Sequence, residues 1–440
     1  MKKTLLVAGV ATVMANSALA LSLQEGLEIV FQENPNLQTV KNELNVKEQQ
    51  KNQARAGFMP SVTASYSLQD QDINIEGAPS GEASPSSGAV NLSQSLFTGG
   101  STLAGFKAAK YNQASAQSNY LLQQQEIFKA ASNAYLSVIT AAEVLEFNKR
   151  QVATNTEEMK RIKQRFDLGD ITLPDLKEFE ARLSGYVADK EAAYGDLLSA
   201  KANFAAIFGR TADDLEWPSI FPSLPTSLAE TIEAAKQSNP DIIQQQLLLK
   251  ASEEGVKVAR AGYMPTVSAV ASWANNSNNY GSTDTNVTAV GVQASLPIFT
   301  GGSTTAKYKE SKFQKIQAQD SLAQKVRDVE ASATSAYNDV LVQEQRVKAL
   351  KVSLDSFQIT TDATEKQEEA GEASIIDVLD ARDNEFSAKV NVQKAKQALL
   401  LAKFELLSSI GKFTHDDLAD VFAEMQEEMQ VVPEAELVLN

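Results

Sequence analysis

Between Ser61 and Gln69 the side chains alternate, with Val62, Ala64, Tyr66 and Leu68 on one parity and Ser61, Thr63, Ser65, Ser67 and Gln69 on the other. A second alternating run places Val267, Ala269, Ala271 and Trp273 against Thr266, Ser268, Val270 and Ser272. Each run leads into a polar, turn-rich stretch, Asp70 to Gly88 and Asn275 to Asn286, and then into a return run. The return runs carry Val90, Leu92 and Leu96 in one case, and Val290, Val292, Ala294, Leu296 and Ile298 in the other. Period two with one apolar and one small polar face predicts two β-hairpins, at about 58–98 and 263–300. Strands of about ten residues have the length that crosses a bilayer when tilted.

Outside the hairpins the apolar period changes to three and four. Phe128, Ala131, Tyr135, Val138, Ala142 and Leu145 follow it, as do Val329, Ala333, Ala336 and Val340, then Val347, Leu350, Leu354 and Phe357. Only Gly105 interrupts the chain from Gly100 to Gly169, and no Gly or Pro does so from Gly302 to Gly371. This predicts two helices of roughly 65 residues, each about 100 Å long. Their apolar seams are narrow, as in coiled coils, and the remaining surface is polar. Shorter helices are predicted at Leu23 to Ala56, Thr172 to Phe208, Leu228 to Ala261 and Ser374 to Ile410.

The chain is one unit written twice. Asn34-Pro35-Asn36-Leu37 recurs as Asn239-Pro240-Asp241-Ile242, and Gly57-Phe58-Met59-Pro60 as Gly262-Tyr263-Met264-Pro265, 205 residues later in each case. Phe97-Thr98-Gly99-Gly100-Ser101 recurs as Phe299-Thr300-Gly301-Gly302-Ser303 at an offset of 202, which also relates Gly169 to Gly371, Asp175 to Asp377 and Gly209 to Gly411. The expected organisation is a first repeat at 21–208, a proline-bearing linker at 209–226, a second repeat at 227–411 and an acidic, peripheral or partly disordered tail at 412–440. Residues 1–20 have a basic start (Lys2, Lys3), an apolar stretch and Ala18-Leu19-Ala20, the pattern of a secretory signal peptide.

Composition narrows the function. With no Cys and His415 as the single histidine, one chain cannot build a thiol nucleophile, a His-based triad or a multi-histidine metal centre. A formal charge of −16 disfavours nucleic acid. No cofactor, metal or enzymatic activity is expected. The Gly100/Gly105 spacing is Walker-A-like, but Phe106 stands where the Lys is required, and a strand-to-helix reversal capped by Ser101 and Ser303 accounts for it better. Phe58, Phe97, Tyr263 and Phe299 gather at the hairpin bases, either as an interfacial aromatic girdle or as packing where strand meets helix. Four strands cannot close a barrel, and an open edge in lipid leaves backbone groups unpaired at several kcal/mol each, so the chain must oligomerise. Two copies give eight strands with a filled interior, and three give twelve with a lumen. A trimeric structural or adhesive coiled coil on the cell surface is the other reading.

The duplicated Asn-Pro and Met-Pro motifs, the Phe-Thr-Gly-Gly motif, Gln164-Arg165-Phe166-Asp167-Leu168-Gly169-Asp170 and the run from Gly371 to Arg382 resemble the TolC-like outer-membrane efflux and secretion channels over nearly the whole mature chain. The resemblance implies an α+β membrane protein: a homotrimer with a twelve-stranded β-barrel in outer-membrane lipid, four strands from each chain. A twelve-helix periplasmic α-barrel would continue it toward a periplasmic adaptor (membrane fusion) protein and an inner-membrane transporter. It further implies passive export of drugs or type I secreted polypeptides. By the same resemblance, Asp377 and Asp380 fall at the pore constriction, with Asp175, Glu368 and Glu372 in the gate region. Ser374-x-x-Asp377 and Thr172-x-x-Asp175 also spell capping boxes, which leave Asp380, one turn deeper, unexplained. Glu368 stands where the family has a gate-locking tyrosine, Ala373 where it has an arginine and Pro174 where it has a threonine.

Overall fold

The computed structural model describes residues 21–74, 81–218, 223–277 and 284–418; the signal peptide expected at 1–20 and the tail from 419 onward lie outside the described residues. The first half runs α1 (Leu23–Glu33), α2 (Pro35–Ala56), β1 (Ser61–Leu68), β2 (Gln71–Ile73), β3 (Gly81–Ala83), β4 (Ser86–Phe97), α3 (Ser101–Asp167) and α4 (Leu173–Phe208). The second runs α5 (Leu228–Ser238), α6 (Pro240–Ala261), β5 (Thr266–Ser277), β6 (Thr285–Ser295), α7 (Ser303–Glu369) and α8 (Ile375–Ser409). The long helices α3 and α7 have 67 residues each. No helix among the described residues is long and apolar enough to cross a membrane.

The helices expected at Leu23 to Ala56 and Leu228 to Ala261 are each broken at an Asn-Pro pair. Proline has no N–H to give to the preceding turn, and the asparagine side chain supplies a new helix start. Asn34 Oδ1 accepts from the N–H groups of Asn36 (3.0 Å) and Leu37 (3.4 Å), while its Nδ2 donates to the Ile207 carbonyl (3.0 Å). Asn239 repeats this, accepting from Asp241 N–H (2.9 Å) and donating to the Ser409 carbonyl (2.7 Å). Each kink is thereby fastened to the last turn of the short helix of its own repeat.

The sheet has the order β1-β4-β5-β6, all antiparallel, with β1 and β6 at its two edges. Directly opposed residues share a face, so the register lines up Val62, Leu92, Ala271 and Val290 across all four strands on one side. On the other side Thr63, Asn91, Ser272 and Ala289 line up. The pairing skips Leu96, passing from Ser95↔Ser268 to Phe97↔Val267, so a bulge brings Phe97 into register with Val267 on the apolar face. Leu296 and Ile298 lie beyond the end of β6. The stretch read as loop at Asp70 to Gly88 holds the β2–β3 ribbon and the start of β4, and β5 and β6 extend into Asn275 to Asn286. Ser101 and Ser303 are the first helical residues rather than caps; Thr98 and Thr300 hydroxyls accept from the N–H groups of Thr102 (3.2 Å) and Thr304 (3.4 Å).

The main core lies at mid-length of the helices, where α1, the linker and the chain beyond α8 meet α3 around Phe128, Tyr135, Phe204 and Phe208. Tyr135 is fully buried, and its hydroxyl lies 2.6 Å from the Leu21 carbonyl and 2.8 Å from that of Glu216. Burial pushes its pKa up to about 12. The segment after Ile410 is not peripheral at its start: Phe413 is fully buried against Phe128 and Phe404, and Leu418 joins the same core. The benefit of removing this apolar surface from water outweighs the acidic composition that suggested a solvated tail.

Candidate functional site: the helix tips

At the far end of α3 and α7 from the sheet, a second, smaller core forms from Met159, Ile162, Ile171, Leu176, Phe179 and Leu379. Leu379 is wholly buried, so the start of α8 is seated against the turn joining α3 to α4. This packing positions the residues singled out as constriction and gate.

Asp377 and Asp175 occupy repeat-equivalent capping boxes. The Ser374 N–H and hydroxyl donate to Asp377 Oδ2 at 2.8 and 2.7 Å, and the Ser374 hydroxyl accepts from Asp377 N–H at 3.2 Å. Those hydrogen bonds hold the Asp377 pKa below its ordinary value, since they favour the ionised form. The Thr172 hydroxyl and N–H donate to Asp175 Oδ2 at 2.6 and 3.3 Å. Asp377 is also exposed, so capping with one carboxylate oxygen leaves its charge facing solvent.

Asp380, one turn deeper and also exposed, is ion-paired. Arg182 on α4 lies with Nη1 2.7 Å from Asp380 Oδ1 and 3.3 Å from Asp383 Oδ2, and with Nη2 2.9 Å from Glu178 Oε1. Partial burial works against the charged guanidinium, but hydrogen bonds to Asp380 and Glu178 outweigh it and raise the Arg182 pKa further. The Tyr186 hydroxyl donates to Asp383 Oδ1 at 2.7 Å; burial, followed by that bond, raises its pKa.

Glu368 accepts from Arg165 Nη1 at 2.5 Å, joining the last turns of α7 and α3. Glu372 is exposed in the turn after α7, where its N–H donates to the Gln367 carbonyl at 2.8 Å. Arg182, Glu178 and Asp383 were not among the residues singled out from sequence, and Arg165 stood there only within the Gln164 to Asp170 motif. One signal was present for Glu178: the 202-residue offset makes it the counterpart of Asp380.

At the sheet end, the Phe58 ring meets Phe106 edge to face (centroids 6.0 Å apart) and Tyr263 meets Tyr308 in the same way (6.2 Å), so both rings touch the following helix. Both remain more than 40% exposed, Phe97 is about half exposed and Phe299 is 88% exposed.

Comparison with known proteins agrees with this architecture. The model of the outer membrane efflux protein family matches twice, over 27–210 and 231–412. Outer membrane efflux protein BepC of Brucella suis biovar 1 is 25% identical over 413 residues, covering 91% of this chain and 88% of the relative. Outer membrane protein TolC of Vibrio cholerae is 26% identical over 382 residues, covering 84% and 86%. The crystal structure of the Campylobacter jejuni CmeC outer membrane channel superposes with a TM-score of 0.77 at 17% identity, covering 92% of this chain and 89% of that one. With a family model spanning both repeats, the chain belongs to the outer membrane efflux protein family.

Proposed function

We propose that three copies of the chain form an outer-membrane export conduit. Their twelve strands close a barrel in lipid and their helices continue as a tunnel into the periplasm. Transport through it is passive, driven by an inner-membrane transporter reached through a periplasmic adaptor protein. Residues 1–20 direct secretion and are removed, 21–208 and 227–411 are the two structural repeats, 209–226 links them, and the acidic tail extends from 412. Asp377 and Asp380 line the narrow periplasmic end, with Asp175, Glu368 and Glu372 around it. Phe58, Phe97, Tyr263 and Phe299 mark the membrane–water boundary.

The observation that carries this reading is the sheet. Among the described residues its edge strands β1 and β6 have no outer neighbour, and one face is apolar across all four strands. Such a sheet cannot remain open in hydrocarbon. Joining β6 of one copy to β1 of the next removes both edges, and three copies leave a lumen lined by the Ser, Thr and Asn face. Purified protein added to a planar bilayer tests the proposal: stepwise ion conductance supports it, and inserted protein that never conducts refutes it.

A further inference from the structure

We infer that Arg182 is a specificity-determining residue of the tunnel entrance, setting how much of the carboxylate charge there acts on passing ions. The inference rests on the proposed reading that Asp377 and Asp380 line that entrance.

The duplication gives the two repeats matching carboxylates at the helix tips. Beyond the capping carboxylates Asp175 and Asp377, each repeat carries another carboxylate one turn deeper: Glu178 in the first and Asp380 in the second. Arg182 spans this pair, at 2.9 Å from Glu178 and 2.7 Å from Asp380, and also reaches Asp383 at 3.3 Å. Its own counterpart at the 202-residue offset is Asn384, so the cation occurs once while the Glu178/Asp380 carboxylate occurs in both repeats; Asp383 answers to Ala181.

The bridge is held from both sides. Phe179, on the turn before Arg182, and Leu379, beside Asp380, are both buried in the tip core. Asp383 is fixed independently by the Tyr186 hydroxyl (2.7 Å) and Gln151 Nε2 (3.1 Å). Only 25% of the Arg182 side chain is exposed against 58% for Asp380, so the paired carboxylate, rather than the arginine, meets solvent.

The consequence is electrostatic. With Arg182 present, Glu178, Asp380 and Asp383 together with the arginine sum to two negative charges per chain; without it they sum to three. Asp377 receives its hydrogen bonds from Ser374 and is not part of this bridge. Asp377 therefore supplies the fixed part of the entrance charge, and Arg182 attenuates the part belonging to Asp380. One added charge at about 6 Å from an ion in water changes its local concentration by about threefold. Carboxylate rings favour cation passage, so losing Arg182 strengthens cation preference.

The test uses the full-length protein in planar bilayers, with K⁺ over Cl⁻ permeability read from reversal potentials at low ionic strength, where screening is weakest. R182Q is expected to raise the ratio about threefold. R182K should stay near the starting value because the charge is kept. D380N should lower the ratio, and R182Q/D380N should return close to the starting value because the two charge changes cancel. R182Q/D380N compared with D380N keeps the inference testable if R182Q alone assembles poorly: an equal ratio in the two overturns it. If D377N and D380N lower the ratio while R182Q leaves it unchanged, the attenuating role of Arg182 is overturned and the entrance reading stands. If conducting channels show no response to D377N, D380N or R182Q, the entrance reading itself is overturned.

Discussion

The Arg165 guanidinium lies 2.5 Å from the Glu368 carboxylate, tying the last turn of α3 to the last turn of α7 within one chain. The two residues are 203 positions apart, and the arginine belongs to the first repeat and the glutamate to the second. If the helix tips separate when the conduit opens, this pair must break. The Arg165 side chain is 44% exposed and that of Glu368 18%, and pairs with a solvent-facing partner contribute up to about 1 kcal/mol. E368Q is therefore expected to shift the closed–open balance by up to about fivefold toward open. The increase is read as open fraction in single-channel records, with the melting temperature little changed. An unchanged open fraction assigns the pair no part in closure.

The Asn239 side chain carries two duties at the α5–α6 kink, starting α6 and satisfying the Ser409 carbonyl at the end of α8. Asn239→Ala removes a cap worth about 1 kcal/mol and leaves a buried carbonyl unpaired at about 1–3 kcal/mol. A destabilisation of about 2–4 kcal/mol is expected in urea titrations followed by helix content. A loss below about 0.5 kcal/mol would mean that the kink is held by the surrounding core instead.

Asp377 supplies a pH dependence whose sign follows from its hydrogen bonds. Its folded pKa is lowered from 3.8, so the stability it contributes is present above that ordinary value and is lost as pH falls through the lower folded one. Amide exchange in the first turn of α8 should be faster in Asp377→Ala than in the unaltered protein at neutral pH. The difference should shrink below about pH 4 as the unaltered carboxylate takes up its proton. A difference that persists undiminished at low pH would assign the effect to lost packing rather than to the ionised cap.

Two glycines with left-handed backbones separate steric from conformational cost. Gly411 has φ +76°, and an added Cβ would sit 2.4 Å from the Ser238 carbonyl oxygen; Gly371 has φ +77° with open space around it. Gly371→Ala should cost about 1 kcal/mol from backbone conformation alone. Gly411→Ala should cost clearly more, because backbone must shift. Equal losses in thermal melts would show that the α5–α8 contact yields freely.

Much of the architecture was legible because strands and helices each repeat their apolar positions at their own period. Val62, Ala64 and Tyr66 alternate with serines and threonine because successive strand residues point to opposite faces of the sheet, and the three-four period of a helix likewise reveals the narrow seam of α3 from Phe128 to Leu145. The breaks at Asn34 and Asn239 were visible as Asn-Pro pairs, yet the helical period continues on both sides and hides them. The bulge at Leu96 depends on pairing with β5, which sequence parity within one strand does not contain. At the tips, the capping carboxylates Asp175 and Asp377 are local and readable from Thr172 and Ser374. Their neighbours' partners are not: Arg182 meets Asp380 across 198 positions, a separation closed only by the packing of Phe179 and Leu379. Phe413 was masked by the acidic residues that follow it.

Closure of the sheet between copies is the central claim, and cysteine cross-linking of its two edges tests it most directly. The chain has no Cys, so one cysteine at Ala64 on β1 and one at Val290, Val292 or Ala294 on β6 introduce the only thiols. Within one chain these edges are three strand spacings apart, about 14 Å along the sheet, beyond the roughly 7 Å limit between Cα atoms joined by a disulfide. Oxidation in native membranes should therefore link copies only, and at the correct register should give a ladder that stops at three chains. A ladder ending at two chains, one continuing past three, or no cross-link at any of the three registers would contradict the account.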